Sequence, residues 1–126
     1  MRKIGKIDIK GDIVSNDVGE FYEFFGMSST YPKKIQQAIL NDEDDEIILN
    51  VASNGGDVFA ASEIYTMLRD SEKNVTVNIQ GLAASAASVI SMAGDTVRIS
   101  PTAQIMIHKA SVSTVGNSDD LEHESE

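Results

Sequence analysis

The sequence predicts an α/β fold built around a mostly parallel sheet. Two observations carry that expectation. Apolar segments of strand length alternate with segments of helical period, and the connections are long enough to hold helices. The run Ile47-Ile48-Leu49 has no polar alternation, which is the pattern of a strand covered on both faces, as in a parallel sheet. No internal repeat and no low-complexity linker interrupts the 126 residues, so one domain is expected over residues 1–126.

Each element has its own signal. Residues 4–14 read as strand, with Ile7 and Ile9 alternating with Lys6, Asp8 and Lys10, and with Gly11-Asp12 as an interruption. In residues 15–25, Asp17 followed by Glu20 forms a capping box for a short helix carrying Val18, Phe21, Phe24 and Phe25. A second helix starts at Thr30 or Tyr31, because Pro32 suits a first turn and Ile35, Ile39 and Leu40 share a face. It ends in an acidic loop. A strand over residues 46–51 leads to the turn Ser53-Asn54-Gly55-Gly56, and a helix over residues 57–70 sets Ala61, Ile64, Tyr65 and Leu68 on one side. A strand over residues 75–79 ends at Gly81. The small-residue segment 83–93 is helical in composition, and Gly94-Asp95 stops it. Two short strands, residues 96–100 and 104–108, flank Pro101, and residues 117–122 carry a helix start signal.

Composition excludes several kinds of chemistry. There is no cysteine, hence no disulfide scaffold, thiolate zinc site or cysteine nucleophile. The net charge of −10 is concentrated: residues 42–46 and 119–126 hold five acids each and no Lys or Arg, while the rest balances ten acids against ten bases. Such runs are solvated loops or polar helix faces, and no basic stripe is left for nucleic acid. The charged N-terminus and the lack of a long apolar run argue against a secretory signal and a membrane span, so a cytoplasmic location is expected. His108 and His123 are too far apart in sequence to make a good metal site, and neither metal nor cofactor is expected.

Three places can hold chemistry. In Ser53-Asn54-Gly55-Gly56-Asp57, two glycines uncover backbone N–H groups at a helix entry. That turn either binds an anion or oxyanion, or simply joins strand to helix with Asp57 as cap. In Gly81-Leu82-Ala83-Ala84-Ser85-Ala86-Ala87-Ser88, Ser85 falls at or near a helix start among small neighbours. It reads either as a nucleophile or as an N-cap, and spacing alone does not choose between Ser85 and Ser88. His108 ends an apolar strand and is the one good candidate for a general base near neutral pH, since His123 lies in the acidic tail.

In this order, the three segments resemble the Clp-type serine peptidases. The text that carries the resemblance is Asn50-Val51-Ala52-Ser53-Asn54-Gly55-Gly56, Ala61 with Ile64-Tyr65, Gly81-Leu82-Ala83-Ala84-Ser85, Ala93-Gly94 and Met106-Ile107-His108. More narrowly, the start at the first strand and the tail Gly116-Asn117-Ser118-Asp119-Asp120-Leu121 resemble the phage and prophage branch associated with head maturation. The resemblance implies a spiral of βαβ units, shared with the crotonases, lacking here its C-terminal handle helix and final strands beyond residues 117–126. It implies Ser85 as nucleophile, His108 as base, and the N–H groups of Gly55, Gly56 and Ala86 as oxyanion hole. The triad acid of such enzymes would lie beyond this chain, so a 126-residue chain is expected to be weakly active or inactive.

The same resemblance implies a polypeptide substrate, a capsid or scaffold protein in the phage branch, and a ring-forming homo-oligomer for the full-length protein. A housekeeping-like subunit partnered by an unfoldase ATPase is the less favoured alternative, and a non-catalytic assembly module of the same fold is another. An acyl-CoA enzyme of crotonase type fits less well, since no basic cluster is present for the CoA phosphates.

Overall fold

Strand β1 (Ile4–Lys10) alternates exposed and buried residues along its length, as a strand with one face on a core must. The computed structural model describes residues 4–40 and 45–107. After β1 come β2 (Asp12–Ile13), α1 (Asn16–Phe24), β3 (Ser29–Thr30), α2 (Pro32–Leu40) and β4 (Glu46–Ser53). Then follow α3 (Val58–Asp70), β5 (Asn74–Ala84), α4 (Ala86–Ser91), β6 (Thr96–Ile99) and β7 (Gln104–Met106). The main sheet has the order β1-β4-β5-β6, and all its pairings are parallel. Strand β7 pairs with the far end of β5, at Leu82–Ala84, beyond the stretch that β6 occupies. A small second sheet joins β2 to β3, also in parallel. The α/β architecture expected from the sequence is the one observed.

The core lies between this sheet and the helices. Ile9, Leu49, Val51, Val77 and Ile79 from the strands are fully buried, together with Ile35 of α2, Ile64 and Leu68 of α3, and Ile90 of α4. Each such side chain contributes about 1.5–3 kcal/mol relative to leaving it in water. Asp57 caps α3 as its sequence position predicts, its carboxylate accepting from Phe59 N (2.9 Å) and Ala60 N (3.1 Å).

Several details differ from the sequence expectation. Helix α1 is capped by Ser15, whose hydroxyl accepts from Val18 N, so the start lies two residues ahead of Asp17. Leu40, the last residue of α2, is exposed although Ile35 and Ile39 on the same helix are buried. Strand β4 buries Ile47, Leu49 and Val51 completely and Ser53 almost so, but leaves Ile48 half-buried, so only one of its faces is sealed. Strand β5 runs past Gly81 to Ala84, and α4 is correspondingly short, covering residues 86–91 rather than 83–93. Pairing with β7 holds the extra residues of β5 extended, which overrides the helical propensity of Ala83 and Ala84.

Candidate active site

The site is made where β4 and β5 end. Their register is even as far as Val51 opposite Ile79, then shifts so that Ser53 faces Ala83. Strand β5 therefore bulges through Gln80–Leu82 and re-pairs one step before its last residue. Gly81 sits in this bulge, where a missing side chain lets the strand bend. The effect is to set the two turns that follow, Asn54–Gly56 and Ser85, side by side.

The glycine turn is braced from the β1–β2 junction. Ile13 N donates to Gly55 O (3.0 Å) and Asp57 N donates to Ile13 O (2.8 Å), an isolated parallel bridge across Gly56. Gly55 has φ +101°, and a Cβ there would lie 2.6 Å from Ala84 O, 3.1 Å from Ala86 N and 3.2 Å from Ser85 Cβ. Gly56 has φ +148°, and a Cβ there would lie 2.2 Å from Ile13 O. Both positions thus need glycine twice over, for conformation and for space.

Ser85 is the only non-glycine site residue in an unusual conformation, with φ 51° and ψ −114°. A non-glycine residue there costs on the order of 1–3 kcal/mol, which the surrounding structure must hold in place. It stands at the cap position of α4, yet its side chain makes no capping hydrogen bond. The N-cap reading of this serine is therefore not what the structure shows. Its backbone is used instead: Ser85 N donates to Met106 O at 2.8 Å, and Ser85 O accepts from Ser88 N and Val89 N. Ser88 Oγ donates back to Ser85 O, and Ser91 Oγ to Ala87 O, so both later serines are tied to their own helix. The turn is a sharp, strained strand-to-helix elbow although the sequence lacks the G-x-S-x-G pattern. Ala83, Ala84, Ala86 and Ala87 are all buried around it, which explains the run of small residues.

Two donors in this region are open. Among the described residues, nothing accepts from the N–H of Gly56 or of Ala86, whereas the N–H of Gly55 donates to Ser53 Oγ at 3.1 Å. Beside the turn runs a shallow cleft lined by Gly11, Asp12, Ala52, Ser53, Asn54 and Leu82. Tyr22 Oη donates to Asp12 Oδ2 at the edge of this cleft (3.2 Å), and that bond, with the charge of Asp12, raises the Tyr22 pKa.

Of the five site residues read from the sequence, the structure brings Gly55, Gly56, Ser85 and Ala86 together. His108 lies outside the described residues, as do His123 and the helix start at residues 117–122. The last described strand, β7, ends at Met106 beside Ser85. Sequence reasoning passed over Ser53, whose hydroxyl also donates to Gly11 O at 2.6 Å. The available signal was a serine two residues before a glycine, a spacing at which hydroxyls bond to backbone N–H.

The chain is thus an α/β protein that holds a serine on a strained strand-to-helix turn, against a glycine turn in which the Gly56 N–H is open. Residues 27–126 match the family described as Clp protease, and the chain belongs to that family. It is 36% identical over 93 residues to the ATP-dependent Clp protease proteolytic subunit of Deinococcus radiodurans, a match covering 70% of this chain and 46% of that protein. It is 31% identical over 119 residues to the ATP-dependent Clp protease proteolytic subunit 1 of Streptomyces coelicolor, covering 88% of this chain and 54% of that protein. The chain therefore spans about half the length of these relatives. In fold it is similar to ClpP1 from Listeria monocytogenes (TM-score 0.64, 22% identity, 94% of this chain and 64% of that one). It is also similar in fold to a mutant of ClpP1 from Listeria monocytogenes (TM-score 0.66, 21% identity, 95% of this chain and 65% of that one).

Proposed function

We propose that the chain carries the nucleophile and oxyanion hole of a serine endopeptidase. The observation that carries this reading is the strained, uncapped Ser85 packed against the glycine turn. In the mechanism, Ser85 Oγ attacks the carbonyl carbon of the scissile peptide bond while His108 accepts its proton. The carbonyl oxygen becomes an oxyanion facing the open N–H groups of Gly56 and Ala86, while the Gly55 N–H, the other donor expected from the sequence, is held by Ser53 Oγ. Collapse expels the amine, which takes the proton from His108, and leaves an acyl-enzyme on Ser85 for water to hydrolyse. None of these steps needs a metal or cofactor. In serine peptidases the acid that orients the imidazole is worth about 10⁴-fold in turnover.

The substrate is a polypeptide, and the full-length protein forms a homo-oligomeric ring in the bacterial cytoplasm. For the biological setting, the resemblance of residues 116–121 to the phage branch favours processing of capsid or scaffold protein during head maturation. A second reading, a proteolytic subunit served by an ATPase, is favoured by the names of the two curated relatives.

The test is a fluorophosphonate probe with intact-mass readout on the chain, on Ser85→Ala and on His108→Ala. The expected result is a single adduct that Ser85→Ala abolishes. An adduct that persists in Ser85→Ala overturns the assignment of the nucleophile, and a folded chain that never labels favours a non-catalytic assembly module.

A further inference from the structure

We infer that Ser53 is a positioning residue that sets which glycine N–H faces the reacting carbonyl. The inference rests on the reading of Ser85 as nucleophile and goes one step beyond it.

Ser53 is the last residue of β4 and is almost fully buried, at 4% exposure. A hydroxyl has one proton to give, and here it goes to Gly11 O at 2.6 Å. A lone pair of the same oxygen takes the Gly55 N–H at 3.1 Å. Ser53 thus joins two segments distant in sequence, unlike Ser88 and Ser91, which bond within their own helical turn.

The consequence is geometric. With its N–H held by Ser53 and its C=O held by Ile13 N, the Gly55 residue has both flanking peptide planes fixed. In a trans peptide the N–H points opposite to the C=O. The Gly56 N–H is therefore directed away from Ile13 and left without a partner among the described residues. Ser53 takes Gly55 out of contention as a donor and keeps Gly56 aimed. Removing the hydroxyl leaves the buried Gly55 N–H unsatisfied, and rotation of the Asn54–Gly55 peptide to find a new acceptor disturbs the Gly56 donor as well.

The experiment measures fluorophosphonate labelling kinetics of the chain, separating probe affinity from the maximal labelling rate. Ser53→Ala is expected to lower the maximal rate about 10- to 100-fold with probe affinity little changed, because the donor is misaimed rather than the cleft lost. Ser53→Thr, which keeps the hydroxyl, restores most of that rate, while Ser53→Val, of the same shape without it, does not. If the unsubstituted chain labels and all three variants label at its rate, the role of Ser53 is overturned while Ser85 stands. If the unsubstituted folded chain does not label at all, both fall together. Where the variants do not fold, amide signals of the unsubstituted chain decide: adduct formation should shift the Gly56 amide and leave Gly55 protected from exchange. A shifted, fast-exchanging Gly55 amide overturns the inference.

Discussion

The two sides of strand β5 are built to different standards. On one side, β4 pairs with it from Glu46 opposite Asn74 to Ser53 opposite Ala83, and the facing side chains Leu49 and Val51 are wholly buried. On the other side, β6 and β7 lie end to end along it, and every one of their residues is exposed. Ser85 stands where the two sides meet. Its strained turn and the glycine turn belong to the well-packed side, while its own N–H reaches across to Met106 O. The contrast teaches that the donors and the hydroxyl are pre-organised by the core, whereas the strand leading towards His108 is held mainly by a short ladder.

The hardest way to break the packed side is at Gly55. An alanine there must adopt φ near +101° and push its Cβ to 2.6 Å from Ala84 O, against backbone that has nowhere to go. Gly55→Ala should therefore separate the glycine turn from Ser85. The expected loss of fluorophosphonate labelling is about 100-fold or more, with a stability loss on the order of 1–3 kcal/mol. Labelling and thermal unfolding measured on the same sample check both parts, and ordinary labelling would show that the two turns need not touch.

Stability separates the two sides next. Leu49→Ala empties a fully buried site between β1 and β5 and should cost about 2–5 kcal/mol. Val97→Ala on β6, at 46% exposure, should cost less than about 1 kcal/mol. Urea titrations of the two variants measure the difference directly. A large cost at Val97 would mean that the β6 edge is covered in solution by something outside the described residues.

Much of this contrast was legible in the residues themselves. The apolar run of β4, the turn glycines and the Asp57 cap are local signals, and each appears where the sequence put it. What could not be read was set by tertiary contact. The bulge at Gln80–Leu82 extends β5 to Ala84 because β7 supplies a partner there, and nothing in Gly81-Leu82-Ala83-Ala84 announces that pairing. The strain at Ser85 was equally hidden, because small residues permit an elbow without requiring one. Ser53 escaped notice because its two partners, Gly11 O and Gly55 N, meet only once β1 and β4 are aligned. Gly55, Gly56, Ser85 and Ala86 were thus legible as candidates, and the way they meet only through the fold.

The packed side also has a point that pH can reach. Tyr31, between β3 and α2, is buried against α1, where a Cβ on Gly19 would fall 2.1 Å from its ring. Burial first, and then a hydrogen bond to Glu23 and the charges of Glu23 and Glu20, push its pKa up to about 12 from 10.0. A folded-state pKa above the unfolded one means that the native state holds the proton more tightly. The stabilisation is complete below pH 10 and is lost as pH rises towards 12, approaching about 3 kcal/mol. Lysines titrate over the same range in any variant, so the informative quantity is the difference between the unsubstituted chain and Tyr31→Phe. That difference should change steadily between pH 10 and 12 in denaturant titrations and stay flat below pH 9. Parallel losses in both proteins would instead assign alkaline unfolding to surface charge, and would leave the contact between α1 and Tyr31 as packing alone.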